Sequence, residues 1–195
     1  NLKLGDQYNE SNLIIVDVQK SFKKFFTDNY LSQLNSYASK FTNVYQIWDN
    51  HSDKDADKDY LYDKTPDKPI NNDDLYKFNN QKDLIEKRYQ YDVNVDFYAK
   101  ILDTAVYQDA KNKEDKGILR RGDYFVTREG TIIVYIGNNH VWYHVPKKLY
   151  DLFISLKGKN VTIVGGSMNE CLLDIETAAR SLGVPTNRDY TYIYS

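Results

Sequence analysis

Three side chains able to do proton-transfer or covalent chemistry stand at the ends of short apolar runs. Asp17 closes the run NLIIVDV at 12–18, Lys87 follows DLIE at 83–86, and Cys171, the single cysteine, comes shortly after NVTIV at 160–164. A free thiol of pKa ~8.5 is only a few per cent ionised at neutral pH, so a nucleophilic cysteine needs an activating neighbourhood. Cys171 opens a helical pattern, where the positive end of the macrodipole favours the thiolate. Taken singly, each residue has an ordinary explanation. A cysteine packs as a small hydrophobe, a strand-end aspartate caps a turn, and a lysine is solvated. Their shared position at one edge of one sheet raises them above those explanations.

The elements that must deliver them follow from hydrophobic spacing. The run at 12–18 is continuous and reads as a strand buried on both faces. Tyr30, Leu31, Leu34, Tyr37, Ala38 and Phe41 follow the i, i+3, i+4, i+7 spacing of an amphipathic helix over 29–41. A second strand at 44–48 ends in Asp49 and His51, which makes a right-handed βαβ unit. The Asp-, Lys- and Asn-rich stretch 52–82 reads as an exposed loop, 83–86 as a third strand and 95–106 as a helix. Alternation at 124–126, 131–136 and 141–145, punctuated by Gly130 and by Gly137-Asn138-Asn139, predicts an antiparallel meander within an insertion at 107–146. A helix at 148–156, a strand at 160–164, a helix at 172–182 stopped by Gly183 and a last strand at 184–194 complete the pattern. The expectation is one α/β domain over 1–195, an open parallel sheet with helices on both faces in three Rossmann-like layers. In such sheets ligands bind at the C-terminal strand ends, where the three reactive residues fall.

Composition narrows the function classes. The chain has 195 residues, 26 basic and 28 acidic, for a formal net charge of -2, which is not the footprint of a dedicated nucleic-acid binder. Mean hydropathy is -0.68, and no apolar run approaches the roughly 18 residues of a membrane span. One cysteine cannot form an internal disulfide and no secretion leader is evident, so a reducing cytoplasmic compartment is expected. There is no Walker A sequence and no G-x-G-x-x-G. The aspartates at 53, 55, 57 and 59 do not make a calcium loop, because Lys58 and Lys64 stand where glycine and glutamate are needed.

The segments around the three residues resemble the isochorismatase-like cysteine hydrolases, the group that includes nicotinamidases. DVQKSF, with Asp17, Gln19 and Phe22, is similar to the family's first motif. IEKRYQYDVNVDFYAKI, with Lys87, resembles its lysine segment, and VGGSMNECLLDIETAARSLGV, with Cys171, its nucleophile loop. The resemblance covers most of the chain apart from 52–82 and roughly 107–146. It implies that Asp17 takes the thiol proton and Cys171 attacks a small amide to form a thioester. Lys87 would hold Asp17 ionised, and the backbone N–H groups of Ser167 and Cys171 would form an oxyanion hole around a non-proline cis peptide between Gly166 and Ser167.

Nicotinamidases also carry an Asp-x-His metal site after the second strand. WDNH matches it with Asp49 and His51, implying a divalent ion such as zinc; His140 or His144 is the available further histidine. Phe22 and Trp48 are candidates to stack a planar substrate ring. A homo-oligomer is expected from the family's habit of assembling through helix faces. Lys20-Ser21, Gly166, Glu170 and the insertion depart from the family pattern, so the alternative reading is a catalytically silent or repurposed member working through its insertion. A vinyl-ether hydrolase of the isochorismatase type is disfavoured, since that chemistry needs no thiol.

Overall fold

The apolar run at 12–16 has no face that tolerates water, and in the computed structural model, which describes residues 11–50, 72–87, 94–137 and 141–195, it becomes the central strand of a five-stranded sheet. In chain order the elements are β1 (Ser11–Val16), α1 (Tyr30–Ala38), β2 (Asn43–Trp48), β3 (Gln81–Glu86), α2 (Thr104–Asp115), β4 (Tyr124–Val126), β5 (Ile132–Gly137), β6 (Val141–Val145), α3 (Lys147–Ser155), β7 (Asn160–Gly165), α4 (Cys171–Ser181) and β8 (Asn187–Ile193). The main sheet runs β3-β2-β1-β7-β8, and every pair is parallel. From β1 the chain builds outward to β3, then returns to the other side of β1 with β7. The reversal between β1 and β7 is the topological switch point, where diverging connections leave a crevice. Val16 pairs with Gly165 there, which sets Asp17 beside the cysteine loop.

Strand alternation sends Leu13, Ile15, Val44 and Val164 to one face, where α1 packs with Tyr30, Leu34 and Ala38. Ile14, Val16, Ile47, Val161 and Ile163 face the other side and meet α3, α4 and the inner face of the small antiparallel sheet β4-β5-β6. α4 is enclosed by this packing, so Leu172, Ile175, Ala178 and Ala179 are all buried along with the polar Asp174, Glu176 and Thr177. α4 stops at Gly183, φ +81°, with Val184 N–H donating to Ala179 O at 2.9 Å in a Schellman-type closure. On the outer face of the small sheet, Ile133, Tyr135 and Trp142 pack against Val95, Tyr98, Leu102 and Ala110 of the segment ending in α2. The expected α/β architecture is present, and among the described residues no helix is long and apolar enough to cross a membrane.

Three expectations need correction. The segment 95–106 is not one helix: Val95–Tyr98 is a 3-10 turn and α2 starts only at Thr104. Burying Val95, Tyr98 and Leu102 together outweighs helix propagation, and Asp103 stays extended as the N-cap at φ −62°, ψ 150°. The meander lies as expected, but the insertion's first part is helical, because α2 runs to Asp115. The polar stretch 52–82 is not loop throughout: β3 begins at Gln81, and Asp74 and Phe78 are buried; residues 52–71 of it lie outside the described residues.

Candidate active site

Asp17 leaves β1 with φ +54°, a left-handed conformation that aspartate tolerates better than most residues. Its surroundings fix that backbone from three sides. Asp17 N–H donates to Ile47 O at 2.9 Å, Gly166 N–H donates to Val16 O at 3.0 Å, and the Tyr194 hydroxyl donates to Asp17 O at 2.5 Å. Lys87 continues the β2–β3 pairing by donating its N–H to Trp48 O at 2.8 Å. β3 is two strands from β1, roughly 10 Å at the usual strand spacing, and the four-carbon lysine stem spans that gap. Its ammonium pairs with Asp17 Oδ2. Cys171 is the first residue of α4, and its thiol is a hydrogen-bond partner of the Asp17 carboxylate. Asp17 and Lys87 are 1% exposed and Cys171 3%. Asp17 Oδ1 is fully buried and makes no regular hydrogen bond among the described residues, so a thiol proton has an acceptor atom to move to.

Burial raises the Asp17 carboxyl to about 6; the nearby Lys87 ammonium opposes the rise, and the Asp49 charge adds to it. Lys87 is pulled down by burial, but Asp17, Cys171 and Asp49 more than offset this and leave it above its ordinary value. The family resemblance gives Lys87 the role of keeping Asp17 ionised. Burial sets a limit on how far it can do so, and the carboxyl is mostly ionised at neutral pH yet close enough to titration to accept and return a proton.

The cysteine loop is pinned to the same strand ends. A Cβ on Gly165 would lie 2.8 Å from Val16 N, and one on Gly166 would lie 2.7 Å from Tyr194 O and 2.8 Å from its ring. Gly166, a departure from the family pattern, thus has a local cause in the Tyr194 ring. Met168 N–H donates to Tyr194 O at 3.0 Å, and Arg188 Nη2 donates to Met168 O at 3.0 Å. Arg188 is itself held by buried Glu176 of α4, its Nε donating to both carboxylate oxygens at 2.9 Å. The Gly166–Ser167 peptide is cis, the bond at which the resemblance implies one. Ser167 O accepts from Glu170 and Leu172 N–H, both at 3.1 Å, while Ser167 N–H donates to no described residue. Gly165→Ala is expected to destabilise the fold by on the order of 3 kcal/mol, since it adds a backbone clash to a φ of +104°. Urea unfolding measures this; a wild-type midpoint would show that β1 and β7 can separate at no cost.

A second network supports the crevice from the α1 side. The Gln19 amide grips the Asp49 backbone, accepting from its N–H and donating to its carbonyl, both at 2.8 Å. Buried Asp74 accepts from Gln19 Nε2 at 2.7 Å, Ser21 N–H at 2.7 Å and Ser21 Oγ at 2.9 Å. Ser21, another departure, is therefore a ligand of Asp74. Trp48 is 1% exposed, and Phe22 is half-buried against the α1-side core, so the described structure packs both aromatics among other side chains.

The structure brings together Asp17, Lys87 and Cys171, with Asp49 in electrostatic reach of the first two. His51 and His140 lie outside the described residues. His144 sits on the outer face of β6, where its ring meets Thr131 Oγ1 at 3.2 Å and neighbours Tyr98. Among the described residues no group of three histidine, cysteine, aspartate or glutamate side chains could hold a metal. Asp49 remains the one described candidate ligand.

Compared with family models, curated proteins and solved structures, the chain matches none. Sequence reasoning missed Tyr194, Asp74 and the Arg188–Glu176 clamp. Their partners lie 177 residues away for Tyr194 and Asp17, 55 for Asp74 and Gln19 and 12 for Arg188 and Glu176, and no local periodicity signals such pairs.

Proposed function

We propose that the chain is a cysteine hydrolase of the isochorismatase-like type, cleaving a small amide through a thioester, with nicotinamide as the first candidate substrate. The observation carrying this reading is the buried convergence of Asp17, Lys87 and Cys171 at the switch point, the carboxylate interacting with both other groups. A repurposed binding module would need no such arrangement. Asp17 takes the proton of Cys171 Sγ, and the thiolate adds to the amide carbon as the C=O electron pair moves to oxygen. The N–H groups of Ser167 and Cys171 receive the oxyanion. Collapse re-forms the carbonyl and breaks the C–N bond, and the amine leaves with the proton held by Asp17. Water then adds to the thioester, passing a proton to Asp17; breakage of the C–S bond releases the acid and restores the thiol.

The test is ammonia release from nicotinamide and a panel of small amides, with and without added zinc, across pH. Only ionised Asp17 can accept the thiol proton, so kcat/KM is expected to fall about tenfold per pH unit below about 6. Turnover with that acid limb supports the reading. Absence of turnover throughout the panel overturns it in favour of a repurposed fold acting through 107–146.

A further inference from the structure

Tyr194, just past the end of β8, is bonded to both halves of the site. Its N–H donates to Gly165 O at 2.9 Å and its carbonyl accepts from Met168 N–H at 3.0 Å, so its backbone holds the loop that leads to Cys171. Its hydroxyl donates to the Asp17 carbonyl at 2.5 Å, so its side chain holds the turn that follows β1. The ring itself has little freedom. Phe26 and Tyr30 meet it edge-on with centroids at 5.1 and 6.2 Å, and Phe25 stacks on it at 6.2 Å. Gly166 leaves open the space beside it, where a Cβ would stand 2.8 Å from the ring carbons Cδ1 and Cε1. The residue is buried, and a ring enclosed in this way carries its hydroxyl to one place.

We propose that Tyr194 is a positioning residue for the base: its hydroxyl holds the Asp17 peptide in the left-handed turn that aims the carboxylate at both Lys87 and Cys171. This inference rests on the hydrolase reading above. Asp17 has φ +54°, a conformation that a residue with a side chain keeps only where its surroundings hold it. Ile47 O holds the Asp17 N–H at 2.9 Å and the Tyr194 hydroxyl holds the Asp17 carbonyl, so one restraint is backbone and the other is a side chain. With the side-chain restraint gone, the turn can relax toward the extended region. The carboxylate then swings with the backbone, away from the ammonium and the thiol that it meets together. Because Tyr194 also holds Gly165 and Met168, it fixes the base and the nucleophile loop against a common reference.

The experiment follows the rate of Cys171 alkylation by iodoacetamide against pH in wild-type protein, Tyr194→Phe and Tyr30→Phe, with urea unfolding of all three. Phenylalanine keeps the ring and its packing and deletes the hydroxyl alone. Tyr30 is the matched control, since its ring meets that of Tyr194 but its hydroxyl donates to Tyr192 O, at 2.8 Å. The ionisable groups facing Asp17 are Lys87 from the end of β3, Asp49 from the end of β2, Cys171 on α4, Tyr143 on β6 and Tyr194 itself. Tyr194→Phe leaves every charged group among them in place, so a displaced limb reports the aim of the carboxylate. The expected result is an acid limb moved upward by about one pH unit in Tyr194→Phe alone, with alkylation about tenfold slower on that limb. A merely structural hydroxyl would lower the unfolding midpoint and leave the limb where it is. That outcome beside an activated wild-type thiol, or an equal displacement in Tyr30→Phe, overturns the role of Tyr194 alone. A wild-type limb at the ordinary thiol value of ~8.5 overturns the hydrolase reading, and this inference with it.

Discussion

Cys171→Ala is expected to reduce amide hydrolysis by at least about a thousandfold while leaving the fold intact. Cys171 is the chain's single cysteine, and its sulfur can both lose a proton to Asp17 and bond to carbon. Alanine removes it without disturbing the start of α4, and the residual void of about one sulfur atom costs on the order of 1 kcal/mol. Cys171→Ser makes a sharper comparison, because it restores a hydrogen-bonding group of similar shape. A serine hydroxyl is far less acidic than a thiol, and an Asp17 carboxyl near 6 is too weak a base to deprotonate it. The serine variant is therefore expected to be as inactive as the alanine variant. Ammonia release by both, compared with far-ultraviolet circular dichroism to verify the fold, settles the point. Turnover preserved in Cys171→Ala would remove the thiolate from the mechanism.

Lys87→Met is expected to damage both activity and stability. Lysine and methionine have similar lengths, so the change chiefly deletes a charge from a site that is 1% exposed. Removing one partner of a buried ion pair strands the other, at a cost of about 3 to 5 kcal/mol. Asp17 responds by holding its proton more tightly, moving further above the value of about 6 that it has beside Lys87. A protonated Asp17 cannot accept the thiol proton, so hydrolysis at neutral pH falls steeply and its acid limb moves to higher pH.

The stability change has a definite sign with pH. A carboxyl whose folded-state pKa lies above its unfolded value binds more protons when folded, so stability decreases as pH rises from the unfolded value of 3.8 through the folded one. Raising the folded value by deleting Lys87 widens that window. The variant should consequently be most destabilised at alkaline pH and recover part of its deficit as pH falls and Asp17 is neutralised. Urea unfolding of both proteins at pH 5 and pH 8 measures this. A deficit that is absent, or equal at the two pH values, would show that the pair is not coupled as described.

Much of this molecule can be read from short windows of chain. NLIIV at 12–16 can only be a strand covered on both faces, because no alternation leaves it a polar side. Gly183 ends α4 since the left-handed closure disfavours a side chain. The alternation across 124–145 is that of an antiparallel meander, and it forms one. Boundaries near 95–106 were not legible, because Val95, Tyr98 and Leu102 are buried against a sheet that comes later in the chain, and that burial breaks the helix their spacing suggests.

The candidate site divides along the same line. Asp17, Lys87 and Cys171 were visible from residue type and from their places after apolar runs, since a parallel strand hands its C-terminal residue to a common edge wherever it sits in the sheet. Strand order was not visible locally. It puts β7 beside β1 and leaves Lys87 two strands away, at a distance a lysine can cross. Only tertiary packing joins Tyr194 to Asp17 across 177 residues and holds the cysteine loop through Arg188 and Glu176. Residue identity therefore determined which atoms are available for chemistry. Burial and long-range pairing decided their ionisation, because desolvation and Coulomb interactions depend on neighbours in space rather than on neighbours in the chain.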